Sequence, residues 1–203
     1  MSIATWRAMH AEDVAIASKG QVDLLLVGDS ITQGWHATKV WAEKFGQYRS
    51  ANFGIGGDAT QHLLWRLQNG DVGQLSPKLI VVLIGINNLG REEHSPEEAC
   101  AGVLAVVSFL RKSFPHSHIL LNAILPPDRE PDSAFRAKAA ATNRLLKPKA
   151  AELGLAWLDA TQEILEPDGR LTPEVSHDAL HLTEEGYRRW ASVLAPEVER
   201  LMK

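Results

Sequence analysis

Leu79-Ile80-Val81-Val82-Leu83-Ile84 is an unbroken apolar run. In a strand, successive side chains point to opposite faces, so such a run is apolar on both. That suits a central parallel strand covered by helices on either side, because an antiparallel strand with one wet face would alternate in polarity. Outward from it, Asp23–Val27, Ser50–Phe53, His118–Ala123 and Leu155–Leu158 read as further strands. Longer helical patterns lie between them, near 3–18, 38–45, 59–69, 96–113 and 133–153, with a last one near 184–201. Ser95-Pro96-Glu97-Glu98 is a helix start, with a Ser cap, Pro in the first turn and Glu three residues after the cap. Pro148 is expected to kink or shorten its helix. The alternation predicts a three-layer α/β/α sandwich around a parallel sheet of about five strands, in a single domain spanning 1–203.

The 203 residues are 45% hydrophobic and 23% charged, an ordinary globular balance. A net charge of −4 offers no electrostatic footprint for nucleic acid or an anionic membrane. Cys100 is the single cysteine, so no intramolecular disulfide can form. It falls in an Ala-rich apolar stretch and is expected to be a buried, inert thiol. No apolar run reaches the length of a membrane span, and residues 1–20 carry acids and no continuous apolar core of a signal peptide. A cytoplasmic protein is the expectation, or a secreted one if a leader precedes these residues.

In parallel sheets, sites lie beyond the strand C-termini. The first strand leads into Gly28-Asp29-Ser30-Ile31-Thr32. Ser30 stands where a helix begins, either as a cap or as a hydroxyl beside N–H groups that favour developing negative charge. Thr32 replaces the second glycine of a Gly-x-Ser-x-Gly elbow. The second strand leads into Gly54-Ile55-Gly56-Gly57-Asp58-Ala59. This also fits a loose dinucleotide fingerprint with Asp71 further on, which would make the chain a non-catalytic nucleotide-binding module. Against that, the fingerprint normally follows the first strand, and Asp71 lies in a polar turn. After the third strand, Asn87 of Gly85-Ile86-Asn87-Asn88 is either a turn residue or an amide donor to an oxyanion.

Near the C-terminus, His177-Asp178-Ala179-Leu180-His181 precedes a helix start at Thr183. An Asp three residues before a His can reach back to the imidazole and fix its tautomer. His177 and His181 also have the spacing of a zinc pair, but that motif needs a helix and a third ligand, and the helix here begins later.

Gly-Asp-Ser, a Gly-rich turn, Gly-x-Asn-Asn and Asp-x-x-His, in this order from Gly28 to His181, resemble the four blocks of the SGNH (GDSL-type) hydrolase superfamily. Residues 52–72 look like the acetylhydrolase branch built from catalytic subunits of intracellular platelet-activating-factor acetylhydrolase. Bacterial GDSL acetylesterases share the flanking patterns. The resemblance implies a flavodoxin-like fold, Ser30 as nucleophile, His181 as general base and Asp178 as its orienter. It puts the oxyanion hole on the N–H groups of Ser30 and Gly57 and the amide of Asn87. Asn88 stands where many members have Asp; the acetylhydrolase branch shares the Asn. No metal or organic cofactor is implied. The expected partner is a small acyl ester, acetyl first, of a sugar or lipid. Thioesterase or lysophospholipase chemistry would use the same site, and pairing into a homodimer is part of the resemblance. Asp29, Trp35, Leu89, Leu125, Leu180 and the Pro126-Pro127 loop, adjacent to the blocks, are expected at the substrate mouth.

Overall fold

The computed structural model describes all of residues 1–203. Five parallel strands, β1 (Leu24–Gly28), β2 (Ser50–Gly54), β3 (Leu79–Leu83), β4 (His118–Asn122) and β5 (Ala156–Leu158), pair in the order β2-β1-β3-β4-β5. Each expected strand is present within a residue or two of its predicted ends. The apolar run from Leu79 forms the middle strand, and every residue of β3 is buried. Leu79, Val81 and Leu83 belong to the apolar layer on one face, and Ile80 and Val82 to the layer on the other. Burying each such side chain stabilises the fold by about 1.5–3 kcal/mol.

The first face is covered by α3 (Lys39–Phe45) and α9 (Glu184–Met202), whose Tyr187, Trp190 and Leu194 pack against Trp35 and Phe45. On the second lie α4 (Thr60–Arg66), α6 (Pro96–Ser113) and α7 (Ala134–Glu152), with the end of α1 (Ile3–Ala17) at its margin. Cys100 is buried in that second layer. The Ser95 cap forms as expected: Glu98 N–H donates to Ser95 Oγ at 3.2 Å, and Ser95 N–H donates to Glu98 Oε2 at 2.8 Å.

Two helix expectations need correction. Pro148 does not shorten α7, which runs on to Glu152. Pro148 lies on the exposed side of the helix, where a carbonyl deprived of its N–H partner is open to water. The fourth helix stops at Arg66 rather than near 69, in an irregular turn Leu67–Asp71 where Gly70 takes φ 128°. The helix expected to begin at Ser30 is the single turn α2 (Ser30–Gln33), and two further short helices, α5 (Ile86–Gly90) and α8 (Thr161–Ile164), were not expected. One turn of helix is too short to show apolar periodicity.

Strand order reverses between β1 and β3, because β2 lies on one side of β1 and the later strands on the other. A crevice therefore opens beyond the C-terminal ends of β1 and β3. No helix of the protein is long and apolar enough to cross a membrane.

Candidate active site

At that crevice β1 ends on Gly28. A Cβ there would lie 2.1 Å from Thr32 Oγ1 and 2.2 Å from the Leu83 carbonyl oxygen, so only glycine lets β1 turn into α2 against β3. Asp29 caps α2, accepting from Ile31 N–H at 2.9 Å. Ser30 is the first helical residue, so its N–H has no partner within the helix.

Ser30 Oγ lies 2.8 Å from His181 Nε2, although 151 residues separate them in the chain. His181 Nδ1 is 2.6 Å from Asp178 Oδ2. The turn that joins them is closed by Asp178 Oδ1, which accepts from Leu180 N–H at 3.0 Å and His181 N–H at 2.7 Å. Partial burial raises the Asp178 pKa but is outweighed by the His181 side chain and these two N–H groups, leaving it at about 2. The carboxylate is therefore ionised and can only accept, so Nδ1 carries the ring proton. Nε2 is left with a lone pair for the Ser30 hydroxyl proton. Ala179, inside the turn, is held at φ 67°, a left-handed conformation costly for alanine.

The Gly-rich loop after β2 is tied to α2. Gly56 N–H donates to Gln33 Oε1 at 2.8 Å, and Asn52 Nδ2 donates to the Thr32 carbonyl at 2.7 Å. Gly57 has φ 82°, and its N–H donates to no protein acceptor. Asn87, at the start of α5, donates one amide hydrogen to the Asp58 carbonyl at 2.8 Å, leaving the second free. Asn88 accepts from Thr60 N–H at 3.0 Å and donates to Thr60 Oγ1 at 2.9 Å, joining α5 to α4. An Asp at 88 could not make the donating half of that pair.

Among the side chains expected at the mouth, Leu89 and Leu180 line a groove of about 700 Å³ beside Asn87, with Ile86 and Phe135. Trp35, Asp29 and Leu125 do not line it. Trp35 is fully buried against Tyr187, Trp190 and Phe45, because the turn after α2 carries it under the sheet. Asp29 is buried, and that burial pushes its pKa up to about 7. Leu125 is core, and Pro126 and Pro127 are buried as well.

That loop has a different role. Arg129 Nη1 donates to the carbonyls of Leu171 (3.0 Å) and Ser176 (2.7 Å), and Nη2 to that of His177 (2.9 Å). It thereby supports the segment carrying Asp178 and His181. Neither Arg129 nor the buried ion pairs around Arg66 could be found from local sequence.

The rival motifs separate from this arrangement. Asp71, the acid of the dinucleotide reading, is fully buried between Arg66 and His10 and cannot meet a ribose. His177, Asp178 and His181 do bring three ligand atoms within 4.8 Å of one another. However, both nitrogens of His181 are already engaged, one by Asp178 and one by Ser30. A metal there would have to dissolve that pairing.

The model of the GDSL-like Lipase/Acylhydrolase family matches residues 26–189. The chain belongs to this family. Among its GDSL-like relatives, platelet-activating factor acetylhydrolase IB subunit alpha2 of Homo sapiens is 36% identical over 201 residues, covering 98% of this chain and 84% of that one. Subunit alpha1 of Rattus norvegicus is 34% identical over 183 residues, 90% of this chain and 77% of that one. A GDSL-like lipase from Bacteroides thetaiotaomicron superposes with a TM-score of 0.81 at 20% identity, over 98% of this chain and 99% of that one. A carbohydrate acetylesterase from Sinorhizobium meliloti gives 0.68 at 18% identity, over 89% and 99%. The last two establish the fold, and membership of this acylhydrolase family supports ester hydrolysis.

Proposed function

We propose that the protein is a serine esterase for short acyl esters, acetyl first, with Ser30 as nucleophile, His181 as general base and Asp178 as its orienter. The observation that carries this is the relay Ser30 Oγ to His181 Nε2 at 2.8 Å and His181 Nδ1 to Asp178 at 2.6 Å. Serine oxygen is a weak nucleophile at neutral pH and needs such a base. Nε2 takes the hydroxyl proton as Oγ attacks the ester carbonyl, and the imidazolium is balanced by Asp178. The tetrahedral oxyanion is met by the N–H groups of Ser30 and Gly57 and the second amide hydrogen of Asn87. Collapse expels the alcohol with the proton from His181, and water repeats the steps on the acyl-enzyme. No step in this scheme calls for a metal or organic cofactor.

The acetyl preference rests on the likeness to the acetylhydrolase relatives and the carbohydrate acetylesterase, which leave the alcohol as a sugar or a lipid. The test is p-nitrophenyl acetate hydrolysis by the protein and by Ser30→Ala and His181→Ala, with fluorophosphonate labelling of Ser30. The expected result is a labelled, active wild type and loss of turnover in both variants. Undiminished turnover in either variant defeats the assignment.

A further inference from the structure

Asp58 joins the two halves of the site. Its backbone carbonyl accepts from Asn87 Nδ2 at 2.8 Å, and its N–H follows directly on Gly57. The side chain is buried, and two donors from different elements hold it. Trp6 Nε1, on α1, donates to Oδ1 at 2.6 Å, and Arg66 Nε, on α4, donates to Oδ2 at 2.8 Å. Arg66 is fully buried and also donates to the Phe53 carbonyl at 2.8 Å, at the end of β2. Its remaining contacts are Asp71 and Asp13, the latter at 3.3 Å. Trp6 lies outside the residues matched by the family model.

A cavity of about 260 Å³ beside Gly57 would let the Gly57–Asp58 segment shift if nothing restrained it. Left-handed Gly57 gives that segment little rigidity of its own. A carboxylate clamped at both oxygens supplies the restraint.

We infer that Asp58, clamped between Trp6 and Arg66, is a positioning residue that sets the oxyanion hole by fixing the Gly57 N–H and the Asn87 amide relative to Ser30. This rests on the esterase reading. An oxyanion donor acts only when it sits about 3 Å from where negative charge develops, so a displaced loop costs transition-state binding and spares ground-state binding.

The test is a pair of cycles in the full chain with p-nitrophenyl acetate. Asp58→Asn and Trp6→Phe are each measured in the wild-type and Asn87→Ala backgrounds. The readout is kcat per site titrated with a fluorophosphonate, so an unfolded fraction does not count. Trp6→Phe removes one N–H donor while keeping an aromatic ring against Trp65 and His10. It therefore carries the test if Asp58→Asn fails to fold. In the wild-type background, Asp58→Asn is expected to lower kcat about tenfold and Trp6→Phe about threefold, with KM within about twofold. On Asn87→Ala both factors should shrink, because the clamp acts partly through that amide. A fall of equal size in both backgrounds, or no fall in the wild type, overturns the inference. An inactive wild type, or one indifferent to Ser30→Ala, would instead defeat the esterase reading.

Discussion

Asp178 is ionised down to about pH 2, so between about pH 4 and 9 it offers His181 a constant charge. Asp178→Asn keeps the shape of the turn but can present N–H to Nδ1, which moves the ring proton to Nε2 and faces the Ser30 hydroxyl with a donor. We expect kcat to fall by about 10³–10⁴ with Ser30 still in place, read from burst and steady-state rates. Asn87→Ala should lower kcat by about 10²–10³ with little change in unfolding midpoint if, as proposed, Asn87 supplies one donor of the oxyanion hole. Ala179 is a different case. Relief of its left-handed conformation by Ala179→Gly should raise stability by about 0.5–1 kcal/mol in urea titrations, after the glycine's greater unfolded-state freedom is offset. At this scale the sequence was readable where a residue closely followed a strand end: Ser30, Gly57 and Asn87 all lie just beyond one. Trp35 misled because proximity to Ser30 along the chain is not proximity in space, and one helical turn is enough to aim a ring into the core.

The elements were legible in proportion to their length. β3 declared itself through uniform apolarity, and α6 through its Ser95 cap, whose loss in Ser95→Ala should cost about 1 kcal/mol. What local patterns could not reveal was how elements hold one another. Arg129 reads as part of a charged loop, yet three backbone carbonyls of the 171–177 segment depend on it. Arg129→Ala should therefore loosen the segment carrying His181. The expected outcome is faster amide exchange at 176–181 and a fall in kcat of about tenfold, with the exchange of β3 amides unchanged. Arg66 and its acids were equally hidden, because a buried ion cluster is assembled from α1, α4 and the turn after it and leaves no trace in any one of them.

Across the whole molecule, that cluster makes stability depend on pH. Asp13, Asp58 and Asp71 gather around Arg66, with His10 against Asp71, and burial followed by repulsion from Asp71 raises the Asp13 pKa to about 8. The unfolded chain releases that proton near pH 3.8. Between those two values the native state binds more protons than the unfolded one, so this group's contribution falls as pH rises and levels off above about 8. Asp13→Asn removes the dependence. Its unfolding midpoint relative to wild type should rise from pH 5 to about pH 8 and then level off, and a constant difference from pH 5 upward would mean that Asp13 is ionised in the native state throughout. The 151 residues between the reacting hydroxyl and its imidazole have a further consequence. A chain still being synthesised holds Ser30 long before it holds His181, so the growing polypeptide would lack its proposed general base. Turnover by the proposed mechanism would begin only once the carboxy-terminal segment has docked, so the appearance of product would serve as a clock for the completion of folding.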